Sequence, residues 1–330
     1  VQMSWGRAVA RWFVLTALAV VVTIDYPLAA DYPTRPVKLV VPYAAGGPTD
    51  ILGRAVAEFL SKDLKQSVVV ENKPGAQGSI GAEMVAHADA DGYTLFVASG
   101  SIVMINPILY KQLAYDPIKD FRMLSLITQV PVIMEVNPKI PVKTVAEFVD
   151  YAKKNPGKIN YGSSGIGSTL HLAAEMFKHE AGVEMTHVPY KGVAPALTDL
   201  LSGQLDVMFD TISTSLPHIK SGALRPLGVT TPERFADLPE VPTIAESGYP
   251  GYRVIVWYGI SAPAKLPDDI AQTLTASLNR ALNDQAFRAS LEKIGYVVYR
   301  PQGPEAITKF IDDDRDRWTR IIKAQNISID

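Results

Sequence analysis

Two short stretches hold the residues best placed for chemistry: PYAAGGPTD at 42–50 and GSSGIGST at 162–169. Each follows a strand-like run and leads into a helical pattern. Gly46 and Gly47 lack a Cβ, so the backbone there can take positive φ and approach a ligand closely. The helix after them presents unpaired N–H groups and the positive end of its dipole, a place for a small anion without any cationic side chain. Asp50, in the first turn, is expected to cap local N–H groups rather than hold a metal. The second stretch supplies the hydroxyls of Ser163, Ser164, Ser168 and Thr169 around Gly165 and Gly167. It is not a phosphate-binding P-loop, because Ser168 stands where that motif needs Lys. GxGxxG fails at Leu170, and the nucleophile elbow GxSxG fails at Ile166. What remains is a hydroxyl-lined anion cradle.

Other reactive residue types do not assemble by spacing. His171 and His179 share a predicted helix eight positions apart, with no third ligand as in HExxH, and only His171 is close enough to the second loop to border a ligand. His87, His179, His187 and His218 read as surface or satisfied core residues. The run Asp312–Arg317 reads as a solvated helix face. The chain has no cysteine, which removes thiolate nucleophiles, disulfides and Cys-ligated metals. No metal and no cofactor is expected.

The elements that must position these loops alternate in type. Val37–Val41, Ser67–Glu71 and Tyr93–Ala98 read as strands, separated by helices from Pro48 to about Leu60 and from Ile80 to Ala88. That order predicts a parallel sheet covered on both faces, with strand ends and helix starts gathered along one edge. The pattern repeats. Val132–Val136 is extended, Thr144–Lys154 is a helix whose Thr144 and Glu147 form a capping box, and Lys158–Tyr161 is a strand. Leu170–Lys178 is a helix closing at Gly182, Met185–Val188 a strand, Ala194–Leu201 a helix ended by Gly203, and Leu205–Asp210 and Leu224–Thr230 are strands. Helices follow at Asp268–Leu282, Asp284–Lys293 and Pro304–Lys323.

With 330 residues, 32 basic against 34 acidic side chains and a net charge of −2, the chain has the size of about two domains. No basic block stands out, so nucleic acid is not an expected partner. Residues 1–30 read as a signal peptide, with Arg7 and Arg11, an apolar stretch from Trp12 to Val22, and Ala29-Ala30 at its end.

Taken together, several blocks resemble the periplasmic solute-binding proteins of tripartite tricarboxylate transporters, the Bug proteins. They include YPTRPVKLVVPYAAGGPTDILGRAVAEFL, VVVENKPGAQGSIGAEMVA, DGYTLFVAS, YGSSGIGSTLHLAAEMF, HVPYKGVAPALTDLLSGQLDVMFD and GVTTPERFADLPEVPTIAESGYPGY. The resemblance implies an α/β, two-domain periplasmic binding protein fold of type II-like form, with the ligand cleft between the domains. Domain 1 would take residues 31–130 and 254–330, and domain 2 residues 131–253. The loops would hold one carboxylate largely through backbone amides and bridging waters. The implied ligand-binding residues are Tyr43, Ala44, Ala45, Gly46, Gly47 and Asp50 in one loop and Ser163, Ser164, Gly165, Gly167, Ser168 and Thr169 in the other. Gln77, Gly78, Ser99, His171, Tyr190, Lys191 and Asp210 join them, with specificity around Ile166, His171 and residues 210–214.

The function implied is an extracytoplasmic receptor, a monomer, that delivers a small mono- or dicarboxylate to membrane permease subunits. Two rivals stand beside it. One is a receptor presenting its closed form to a sensor kinase; the other is a hydrolase or transferase, which would need a base held against Ser164 or Ser168.

Overall fold

In β1 (Val37–Val41), Val37, Leu39, Val40 and Val41 are fully buried. A strand apolar on both faces needs cover on both, and α1 (Pro48–Asp63) and α2 (Ser79–Ala86) both pack against it. The computed structural model describes residues 32–324, and every element named here belongs to the unit that begins at Pro33. The expected signal peptide lies outside the described residues.

The first βαβαβ run continues with β2 (Val68–Asn72) and β3 (Thr94–Ser99), both of which pair with β1 in parallel. A π-helical turn (Ser101–Ile105) and the single-turn α3 (Asn106–Leu109) follow. The long β4 (Phe121–Val136) comes next, then α4 (Val145–Lys154), β5 (Asn160–Ser163), α5 (Thr169–Ala181), β6 (Thr186–Pro189), α6 (Val193–Ser202) and β7 (Val207–Thr211). The described residues continue with α7 (Ile212–Lys220), β8 (Arg225–Val229), β9 (Ile255–Pro263), α8 (Asp268–Asn283), α9 (Gln285–Glu292), β10 (Val297–Val298) and α10 (Pro304–Ala324).

The sheet order is β2-β1-β3-β9-β4-β7-β5-β6, with β8 and β10 also pairing β4. The parallel pairing expected for the first three strands is present, and antiparallel strands join it further along the sheet. β5 is parallel to β6 and β7, but β9 runs antiparallel between β3 and β4, and β4 is antiparallel to β7, β8 and β10. β4 serves both groups of strands. Phe121–Pro131 pairs with β9, and Val132–Val136 pairs with β7.

Local signals explain most helix ends. Ser168 caps α5 by accepting from His171 N, and Gly182 closes it at φ 60°. In α4 the expected capping box is half formed. Glu147 N donates to Thr144 Oγ1, but the Glu147 carboxylate accepts from Lys143 N rather than from Thr144 N. In α8, Ala271, Leu274, Leu278, Ala281 and Leu282 form the buried stripe, as helical periodicity requires. Arg280 ties that helix to α1, gripping the Asp63 carboxylate with two nitrogens at 2.8 and 2.6 Å. No described helix is long and apolar enough to cross a membrane.

Candidate functional site

Helix starts and strand ends do gather along one edge, and there they enclose a cavity. Its walls include the first-turn residues of three helices: Pro48 and Thr49 of α1, Thr169 and Leu170 of α5, and Val193 of α6. Tyr43, Gly47, Ser99, Ser101, Ser164, Val256 and Tyr258 complete the lining. No lining side chain is formally charged at neutral pH. The cavity is narrow, with an open volume of only about 20 Å³.

Its narrowness comes from contacts that cross it. Ala44 N donates to Lys191 O at 3.3 Å, and Thr169 N donates to Ser101 Oγ at 3.1 Å. The Ser101 and Thr169 hydroxyls are 3.0 Å apart, and the Tyr110 hydroxyl donates to Ile166 O at 3.1 Å. Gln77 meets Gly165 from the other side, and a Cβ on Gly165 would collide with Gln77 Oε1. Ala76 and Gln77 hold this position at φ +44° and +52°, uncommon for residues with a Cβ.

The predicted residues divide into groups. Tyr43, Gly47, Ser99, Ser164 and Thr169 line the cavity. Ala44, Gln77, Gly165 and Lys191 make the contacts around it, and Tyr190 O lies against Gly165. Gly78 (φ +82°) starts α2, and Gly167 (φ +82°) packs against Leu109. Ala45 and Gly46 are exposed. Gly46 has φ +82°, whereas Gly47, at φ −83° and ψ 174°, is extended and needs no special freedom.

Several polar side chains turn away from the cavity. Asp50 accepts from Gly46 N, Arg54 Nε and Asn72 Nδ2, at 2.9, 2.9 and 3.0 Å. Burial would raise its pKa, but these bonds, Arg54's foremost, outweigh it and hold the carboxyl below the usual range. Ser163 Oγ is occupied by Gly165 and by His187 Nε2. Ser168 is the cap of α5, and the Tyr190 hydroxyl donates to Asp199. His171 stands behind the second loop, where Gly167 N donates to its Nδ1. Asp210 is fully buried at the end of β7, accepting from Thr211 N and from the Thr214 and Ser215 hydroxyls. Burial raises Asp210 to about 6 and lifts its neighbour Glu135 well above the carboxylate range.

Pro48, Thr49, Ser101, Leu170, Val193, Val256 and Tyr258 were not foreseen as lining residues. Ser101 had a signal, a hydroxyl two residues beyond Ser99 at a strand end. Val256 and Tyr258 had none, because β9 reaches the cavity from far along the chain. Two buried oxygens beside the cleft, Gln77 Oε1 and Ser99 Oγ, are without a hydrogen-bond partner. Burial drives the Tyr43 hydroxyl up to about 12, so it remains a neutral donor. The cavity therefore offers hydroxyls and helix N-termini, the equipment for an anion held without an ion pair.

TctC, the tripartite tricarboxylate transporter family receptor, matches residues 52–327. The chain belongs to this receptor family. Similar solved structures include R. palustris Rpa4515 with adipate, 38% identical, with a TM-score of 0.86 over 90% of this chain and 99% of that one. The periplasmic binding protein BugD is 37% identical, with a TM-score of 0.86 over 90% and 99%. MatC (Rpa3494) from Rhodopseudomonas palustris, with bound malate, is 34% identical, with a TM-score of 0.84 over 88% and 100%. The TctC chain described here thus has the two-domain periplasmic binding protein fold, and its family and structural neighbours are solute-binding proteins.

Proposed function

We propose that this TctC-family receptor captures a small mono- or dicarboxylate outside the cytoplasmic membrane and delivers it to the permease subunits of a tripartite transporter. The observation that carries the reading is the convergence of three helix N-termini and five hydroxyl-bearing side chains other than tyrosine on one cavity without a charged lining residue. Helix N-termini favour negative charge, and neutral donors aimed from several sides suit a compact carboxylate. The ligands named for the two neighbours, adipate and malate, support the same class.

In this reading residues 31–130 and 254–330 form one lobe and 131–253 the other. The cross-cavity bonds Ala44–Lys191, Ser101–Thr169 and Tyr110–Ile166 join the two lobes on closure. The receptor works as a monomer, exported by its leader, and no catalytic step is part of its task. The imidazole that β6 brings against the second loop supports this: His187 Nε2 is 2.7 Å from Ser163 Oγ, yet that hydroxyl is fully buried and unreachable by a substrate.

A thermal-shift panel tests the solute class. A carboxylate at ~100 times its Kd should stabilise the receptor by about 2.7 kcal/mol, a clear rise in Tm. No shift from adipate, malate or related acids, beside a clear shift from a sugar or an amine, would reject it.

A further inference from the structure

His171 sits one turn into α5, buried to 5% exposure, and does not line the cavity. Gly167 N donates to its Nδ1 at 3.1 Å, so Nδ1 offers a lone pair and the neutral ring carries its proton on Nε2. Nε2 faces Glu175 Oε1 at 3.9 Å. The His187 ring of β6 stacks on His171 at 4.1 Å, and its Nε2 is 2.7 Å from Ser163 Oγ, which accepts from Gly165 N at 3.1 Å. Two imidazoles therefore hold the amides of the second loop from behind. The titratable groups facing them are Glu175 and Lys178 of α5 and Tyr161 of β5. Glu175 is already engaged by Lys178, at 2.8 and 3.0 Å, and by the Tyr161 hydroxyl.

We propose that His171 is the positioning residue of the second binding loop: its unprotonated Nδ1 anchors the Gly167 amide, and protonation of the ring releases the loop and with it a bound carboxylate. The proposal rests on the reading of that loop as part of the carboxylate site. A protonated imidazole carries N–H on both nitrogens, so Nδ1–H would face Gly167 N–H, donor against donor. Gly167 holds φ +82° beside Leu109 and Tyr110. Burial first of all, opposed by the charge of Glu175 and aided by Lys178, keeps His171 neutral down to about 4. Burial, then His171 and Lys178, does the same for His187 down to about 3.

The test uses the full chain, isotope-labelled, with adipate as the probe. Nitrogen NMR at pH 7 should show the Nε2–H tautomer of His171. On acidification to pH 3.5 the Gly167 amide should shift with the midpoint of the His171 ring, while the Leu39 and Val40 amides report an intact fold. Adipate affinity is then measured at pH 7 and pH 4 for wild type and His171→Asn, whose Oδ1 accepts like Nδ1 but does not titrate. Between the two pH values wild type should lose about twofold more affinity than the variant, since about half of the His171 rings are protonated at pH 4, a comparison that cancels the acid's own protonation. An Nδ1–H tautomer, a Gly167 amide that ignores the ring titration, or identical pH profiles would overturn the proposal. Adipate binding to neither protein at pH 7 would count against the carboxylate reading, while the NMR results alone would still decide the role of His171.

Discussion

Gln77 and Gly165 face each other so closely that the second loop must carry a glycine at that point. Gly165 has φ +130°, which other residues rarely adopt, so two independent effects exclude a side chain there. Gly165→Ala should cost about 1–3 kcal/mol from backbone strain and weaken carboxylate binding at least tenfold. Adding Gln77→Ala removes the collision but not the strain, so it should restore only part of the loss. Denaturant midpoints and calorimetry on both variants check this; full recovery in the double variant would show that strain contributes nothing.

The neighbouring hydroxyls Ser168 and Ser101 should fail in different ways. Ser168 Oγ caps α5, so Ser168→Ala should cost about 0.5–2 kcal/mol of stability in the unliganded protein. Ser101 Oγ instead accepts from Thr169 N across the cavity it lines. Ser101→Ala should weaken binding more than Ser168→Ala, while lowering the unliganded Tm less. Measuring Tm and Kd for both separates the roles, and a reversed order would show the assignments to be exchanged.

Glu135 and Asp210 share one hydroxyl: Ser215 Oγ lies 2.8 Å from Glu135 Oε1 and 3.1 Å from Asp210 Oδ2. A single hydroxyl proton cannot serve both, and Asp210 has other donors in Thr211 N and Thr214 Oγ1. Glu135 is therefore the protonated partner at neutral pH, kept so by burial and then by Asp210. The native state then binds a proton that the unfolded chain releases above its ordinary pKa, so this pair makes stability fall as pH rises from 4.5. Glu135→Gln should flatten that slope, and Asp210→Asn, which loses acceptors, should destabilise at every pH. Urea unfolding at pH 5 and pH 8 measures both; an unchanged slope in Glu135→Gln would place the proton elsewhere.

The buried histidines act in the opposite direction. With His171 lowered to about 4, the unfolded chain binds more protons between pH 6.5 and pH 4, so stability falls on acidification. From pH 6.5 to pH 5, His171 should remove about 1.5 kcal/mol, at 1.36 kcal/mol per pH unit once fully developed. The more exposed His187 should add less. His171→Asn should blunt this acid loss in chemical denaturation; a wild-type stability flat across the window would contradict the burial argument.

The sequence by itself determined the βα order, the two glycine-rich loops, most helix ends and the absence of cationic chemistry in either loop. Those features are local: alternation, capping residues such as Ser168 and Gly182, and residue type at fixed spacing decide them within a few positions. Tertiary structure alone decided the rest. β9 enters antiparallel between β3 and β4 because strand pairing is set by which edges meet, not by the strand's own residues. α7 forms despite Ser, Thr and an internal Pro217, packed on β4 and β7, with Asp210 accepting from Thr211 N just before its start. Side-chain direction was legible for Asp50, which caps local N–H groups, but hidden elsewhere: Ser163, Ser168 and Asp210 have the chemistry of binding residues, yet each is drawn to partners nearer than the cavity. An unpaired buried polar group is costly, so those partners prevail.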